Sequence, residues 1–260
     1  MRDVQQMITV LDFDDLYDKE EFYQSAPHQR INLREVPGTN GYCEDTAAET
    51  IRERIRAGKP SHIYFLGSGN YHYVSFLLQK EICRDFTLVL FDCHTDLQKP
   101  LFPELLSCGC WVRRAMDEME HLKKVILIGT SAAYLREVEP RYRNHMAAVP
   151  EEEAVSPDFD WKTWLQREIR TDVYLSLDKD VLSLSELSTN WDQGSMTTGQ
   201  VCRICTMIAQ DRNILGADIC GEYQGGLLSG RREIMQSDRV NKEVLECLDG
   251  MMPLPDDPQR

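Results

Sequence analysis

The chain has 260 residues, a formal net charge of −14 and a hydrophobic fraction of 42%, enough apolar content for a full core and too much for a disordered chain. A pI near 4.9 excludes the basic face that a general nucleic-acid binder needs. No apolar run approaches the roughly 20 residues that span a bilayer, and the N-terminus MRDVQQMITV lacks the features of a signal peptide. A cytoplasmic protein without membrane or nucleic-acid partners is expected.

In chain order, MITVLDF (7–13) reads as a first strand and TAAETIRERIRAG (46–58) as a helix stopped by Gly58. IYFLGS (63–68) is a second strand, followed by a helical pattern over 71–82. TLVLFD (87–92), a helix over 105–120 and KVILIGT (124–130) come next. PEEEAVSPDFD (150–160) looks like a loop insertion, then a helix covers 161–169 and VYLSLD (173–178) forms a strand. A helix over 198–209 and the strand ILGADI (214–219) complete the pattern; 253–260 is expected to fray. Strands that are apolar throughout and alternate with helices imply an α/β fold. It should be one doubly wound parallel sheet with helices on both faces, a single domain over 1–260.

The nine cysteines are scattered, and an odd count without a leader reads as reduced thiols. Cys202 and Cys205 form a C-x-x-C on a helical pattern with no second pair nearby, so they are expected to pack rather than bind zinc.

In open parallel sheets, ligands bind beyond the carboxyl ends of the strands. Three strand ends there carry metal-ligand side chains: His72 after 63–68, Asp92-Cys93-His94-Thr95-Asp96 after 87–91, and Asp178-Lys179-Asp180 after 173–177. Spacing of i, i+2 on extended chain turns side chains to one side. Four Asp and two His converging on one volume call for divalent cations to cancel the charge. Carboxylates with imidazoles favour Mn, with Zn, Fe and Co as competitors.

These motifs resemble those of the ureohydrolase family, the arginase–agmatinase group within the wider arginase/deacetylase superfamily. Gly67-Ser68-Gly69-Asn70-Tyr71-His72 is similar to the family's Gly-Gly-Asp-His segment, with extra residues before the His. Asp92–Asp96 matches Asp-Ala-His-x-Asp, and Ser176–Asp180 matches Ser-x-Asp-x-Asp. Gly194-Ser195-Met196-Thr197 resembles a Gly-Gly-Leu-Thr loop, and Asp218-Ile219-Cys220-Gly221-Glu222 resembles Asp-Ile-x-Glu with one inserted residue. The likeness covers roughly 63–225 and implies a three-layer arginase/deacetylase-like fold.

The resemblance implies two metal ions, one held by His72, Asp92, Asp96 and Asp178 and the other by His94, Asp92, Asp178 and Asp180, with Asp92 and Asp178 bridging. It implies that a water between the ions attacks a guanidinium carbon, releasing urea and an amine. Asp180 would accept the proton, Glu222 backed by Thr197 would hold the guanidinium, and Gln98 would meet the far end of the substrate. A small cationic guanidino compound or an arginine-containing peptide is the implied partner, and the likeness allows a homo-oligomer.

The chain departs from the arginase pattern in three places. Leu106–Trp111 has no His where arginases carry a proton shuttle. Gln98 stands where members acting on free arginine have Asn, and Thr130-Ser131-Ala132-Ala133 replaces an Arg-Asp pair. Asp12, Asp14 and Asp15 close the first strand at the same rim, where they read as a solvated loop or as an attractor of a cation. Lys179 is expected to point away from the metals. Two other readings stand beside the hydrolase: a mononuclear zinc deacetylase, and a catalytically silent regulatory relative.

Overall fold

A computed structural model describes residues 7–102, 104–225 and 231–252. The first half contains β1 (Ile8–Asp12), β2 (His28–Asn32), β3 (Tyr42–Cys43), α1 (Asp45–Ala57), β4 (Ile63–Phe65), α2 (Val74–Gln79), β5 (Phe86–Phe91), β6 (Leu106–Ser107), α3 (Trp111–Glu118) and β7 (Leu122–Thr130). There follow α4 (Ala132–Glu137), α5 (Pro140–Arg143), β8 (Met146–Pro150), α6 (Glu151–Ala154), α7 (Trp161–Glu168), β9 (Asp172–Asp178), α8 (Thr198–Asp211), β10 (Ile214–Cys220) and α9 (Arg231–Asp249). The expected frayed tail, 253–260, lies outside the described residues.

Eight strands form one sheet in the order β2-β1-β4-β10-β9-β5-β7-β8, and every pairing in it is parallel. Side-chain alternation splits the core into two layers. In β5, Val89 and Phe91 pack on one side and Leu88 and Leu90 on the other; in β7, Ile126 and Ile128 oppose Val125 and Leu127. Apolar residues of α7, α8 and α9 cover the first face, and those of α1, α2 and α3 the second. This is the doubly wound, three-layer architecture that the uninterrupted apolar strands require.

Local chemistry sets several boundaries. Thr197 accepts from Gln200 N while the Gln200 side chain accepts from Thr197 N, a capping box that starts α8. Asp160 accepts from Thr163 N and starts α7. Three sequence expectations are corrected. The helix expected over 105–120 is confined to α3, because Leu106–Ser107 pairs antiparallel with Tyr42–Cys43. The helix expected over 71–82 is only α2, preceded by a 3-10 turn at Gly69–Tyr71. The loop insertion at 150–160 begins with α6.

Chain order reverses around the middle of the sheet. β4 is followed by β5, yet β10 and β9 lie between them. A crevice at the carboxyl ends is the consequence, and ligands in such sheets bind there. No described helix is long and apolar enough to cross a membrane.

Candidate metal centre

The carboxyl ends of β4, β5 and β9 deliver six side chains to one cavity of about 190 Å³, whose lining includes His72, Asp92, His94, Asp96, Asp178 and Asp180. His72 Nδ1 lies 3.2 Å from Asp96 Oδ2, 3.4 Å from Asp92 Oδ2 and 3.5 Å from Asp178 Oδ2. His94 Nδ1 lies 2.9 Å from Asp180 Oδ2 and 3.3 Å from Asp92 Oδ1. Asp92 therefore turns one oxygen to each imidazole. Donor atoms of His72, Asp92 and Asp96 all fall within 4.8 Å of one another, as do those of Asp92, His94 and Asp180. Asp178 gives Oδ2 to His72, while its Oδ1 accepts the backbone N–H of Asp180 at 3.0 Å.

His72, Asp96 and Asp180 have further partners that hold them. His72 Nε2 donates to Ser176 Oγ at 3.0 Å, and Ser176 donates to Asp218 Oδ1 at 2.6 Å. Ser75 donates to the same oxygen at 2.8 Å. That chain puts a proton on Nε2 and turns Nδ1 to the carboxylates, where its lone pair would serve a metal ion. Trp111 Nε1 donates to Asp96 Oδ2 at 2.6 Å, and the backbone N–H of Cys93 donates to Asp180 Oδ1 at 3.0 Å. Asp96 sits in the left-handed region at φ 50°, the conformation that lets the loop return its carboxylate to the cavity.

Burial and neighbouring charges act on both imidazoles and on Asp92 and Asp180. Burial opposes charge on His72, but Asp96, Asp178 and Asp92 outweigh it and raise its pKa to about 10. Burial likewise opposes the charge on His94, and hydrogen bonds to Asp180 and Asp92 reverse the effect and raise it strongly. Burial, reinforced by the Asp180 and Asp96 charges, pushes Asp92 well up. Asp180 rises to about 6 through burial and the Asp178 charge, with His94 holding it back. An oxygen-rich donor set with two imidazoles fits divalent cations, which would neutralise this concentration of carboxylates.

Gln98 joins this cavity, as do Cys108 and Trp191. Trp191 was not singled out in the sequence. It belongs to the loop after β9, and its ring lies beside Gly69, where a Cβ would come within 3.0 Å of it. The His94 ring sits 6.0 Å from the Trp191 ring and 5.0 Å from that of Tyr134. Thr197, by contrast, is the N-cap of α8 and does not line the cavity.

Glu222 requires the main correction. The resemblance implies a Glu222 that holds a guanidinium at the metals, but its carboxylate does not line the cavity. Its carboxylate is buried against Lys179 Nζ, with Ser237 Oγ and Asn241 Nδ2 as further donors. Lys179 itself is fully buried and gives its remaining protons to Ser237 Oγ at 2.9 Å and Asn241 Oδ1 at 3.0 Å. Burial would raise the Glu222 pKa, but Lys179 and the two polar donors lower it below the usual range. Gly221 explains the turn. Its φ of +95° belongs to the region that favours glycine, and a Cβ there would meet Asp178 Oδ1 at 2.6 Å. Lys179 does point away from the cavity, as its place between two inward carboxylates requires.

At the rim, Asp12 pairs with Arg30 at 3.0 Å and Arg34 at 2.9 Å, and Asp14 accepts from Gln224 Nε2 at 2.6 Å. Those partners leave both carboxylates engaged within the protein. Of the C-x-x-C, Cys205 packs in the core beneath α8, while Cys202 is only half-buried and its carbonyl accepts from Cys247 Sγ.

Comparison with known proteins agrees with this geometry. The family model described as "Arginase family" matches residues 18–223. An uncharacterized protein of Thermotoga maritima is 30% identical over 247 residues, covering 93% of this chain and 89% of its own. Formimidoylglutamase from Bacillus subtilis superposes with a TM-score of 0.68 at 14% identity, covering 96% of this chain and 93% of that one. Proclavaminate amidino hydrolase from Streptomyces clavuligerus gives 0.68 at 14% identity, covering 94% and 91%.

Proposed function

The chain belongs to the arginase family, and we propose that it is a single-domain, two-metal hydrolase that cleaves a C–N bond of a small amidino or guanidino compound. The observation that carries this reading is the split of Asp92, one oxygen toward each histidine, within a ring of three further aspartates. His72, Asp92, Asp96 and Asp178 would hold one ion; His94, Asp92 and Asp180 would hold the other, with Asp178 between them. Mn(II) suits the oxygen-rich set, and Zn, Fe or Co compete for it. When bound, such ions supply Lewis acidity and a water of lowered pKa.

The chain's own residues have the remaining tasks. Asp180 is the proton acceptor nearest the second position, hydrogen-bonded to Cys93 N and facing His94. Gln98 offers an amide to the polar end of the substrate, and the Trp191 ring walls the opening. Free arginine, agmatine and arginine-containing peptides are the substrates to try first.

A second reading rests on Glu222. Among the described residues, all four carboxylates lining the cavity belong to the metal-ligand set, so none is left there to clamp a guanidinium. An uncharged, amide-like substrate, as in a deacetylase, is favoured by that single fact.

The test is to strip the protein, refill it from a mixture of Mn, Zn, Fe and Co, and measure metal per chain by elemental analysis. About two ions per chain with urea or another amidine-derived product supports the first reading. Release of an acid and an amine without urea supports the second. No retained metal overturns both.

A further inference from the structure

We propose that Cys220 is a metal ligand of the His72 side of the site, making that position a thiophilic one; this rests on the metal-dependent reading above. Cys220 closes β10, beside Asp178 in the parallel register with β9. Its Sγ is fully buried and lies 3.2 Å from Asp178 Oδ2, the oxygen that also faces His72 Nδ1. Donor atoms of His72, Asp178 and Cys220 fall within 4.8 Å of one another, the same closeness that defines the two oxygen-rich groups.

The backbone enforces this approach. Gly221 turns through positive φ so near the β9 end that a Cβ would meet Asp178 Oδ1 and Lys179 N at 2.6 and 2.7 Å. The turn sends Glu222 behind the sheet end and leaves the thiol as the side chain of that segment beside Asp178 and His72. The thiol donates to Asp178. His72, Asp178 and Cys220 would hold an ion together only as the thiol gave up its proton to solvent, and the freed sulfur electron pair would then supply a soft donor. Thiolate donors select Zn(II) and other softer ions over Mn(II), so the two positions differ in preference.

Stripped, reduced full-length protein titrated anaerobically with Co(II) alone tests this. The wild type should develop a sulfur-to-cobalt charge-transfer band in the near ultraviolet. Cys220→Ser should bind Co(II) and lose the band, whereas Cys108→Ser, altered at the nearby cavity wall, should keep it. Zinc-edge X-ray absorption on the zinc-loaded wild type should show a sulfur neighbour, a result independent of how the variants fold. Bound Co(II) without a band, a band that survives in Cys220→Ser, or a zinc shell without sulfur each overturns the assignment and leaves the hydrolase reading standing. A wild type that binds no Co(II) overturns the metal reading and this inference together.

Discussion

Lys179 and Glu222 meet as a fully buried ion pair behind the two aspartates that flank Lys179 in sequence. Ser237 and Asn241 of α9 complete the ammonium's three acceptors, so the pair ties the β9 end, the β10 end and α9 together. Removing one partner of such a pair leaves an uncompensated buried charge, whereas replacing both is far less costly.

Lys179→Met should therefore destabilise the protein by about 3–5 kcal/mol, read from denaturant unfolding of the metal-free chain. The double variant Lys179→Met, Glu222→Gln should recover a large part of that loss. Equal stability of the single and double variants would contradict the pairing.

Asp92 should be the ligand whose loss empties both positions, because it alone faces both histidines. Asp92→Asn is expected to retain close to no metal, and Asp96→Asn about one ion per chain, held on the His94 side. Elemental analysis after refilling separates the two outcomes; one retained ion in both variants would refute the shared role of Asp92.

Ser176→Ala should loosen His72 without touching a ligand atom. The hydroxyl is the link between His72 Nε2 and Asp218, and loss of such a partner lowers metal affinity by about 10–100-fold. Competition against a chelator measures it, with thermal unfolding as a control for the fold. Unchanged affinity would assign the His72 orientation to packing against Trp111 instead.

Glu20 offers a test of pH dependence away from the metals. Burial, then the Glu222 charge, raises its pKa from 4.5 to about 10. The folded state therefore keeps a proton that the unfolded chain releases near 4.5, and the Glu20 contribution to stability falls as pH rises from about 4.5 toward 10. Glu20→Gln keeps the acceptor for Asn241 Nδ2 and removes the titration. Its Tm should decline less between pH 6 and pH 9 than that of the wild type; parallel curves would show that Glu20 does not titrate in this range.

Much of the fold is legible because parallel strands buried on both faces are written as largely apolar runs; β5 and the middle of β9 are of this kind. The edge strands escape that signal. β2 reads HQRIN with alternating exposure and β8 reads MAAVP with little burial, since each has a neighbour on one side only. β6 escapes for another reason: it exists by pairing with Tyr42–Cys43, more than sixty residues earlier, and local periodicity favours a helix there.

The six ligand-type side chains were readable one strand end at a time, because i, i+2 alternation fixes which way neighbouring side chains face on extended chain. Both motifs nevertheless leave the strand where the ligands begin: Lys179–Val181 form a 3-10 turn after Asp178, and Asp96 returns to the cavity through a positive φ, so the final directions of these side chains were set by the turns. Where Glu222 went was decided only in three dimensions. One inserted residue flips a side chain to the opposite face, and Gly221 supplies the positive φ that makes the flip affordable. The buried lysine then holds the carboxylate there, in a contact between segments forty-three residues apart. The Trp191 wall and the place of Cys220 beside His72 and Asp178 arise in the same way, from strand ends and a loop brought together by the sheet.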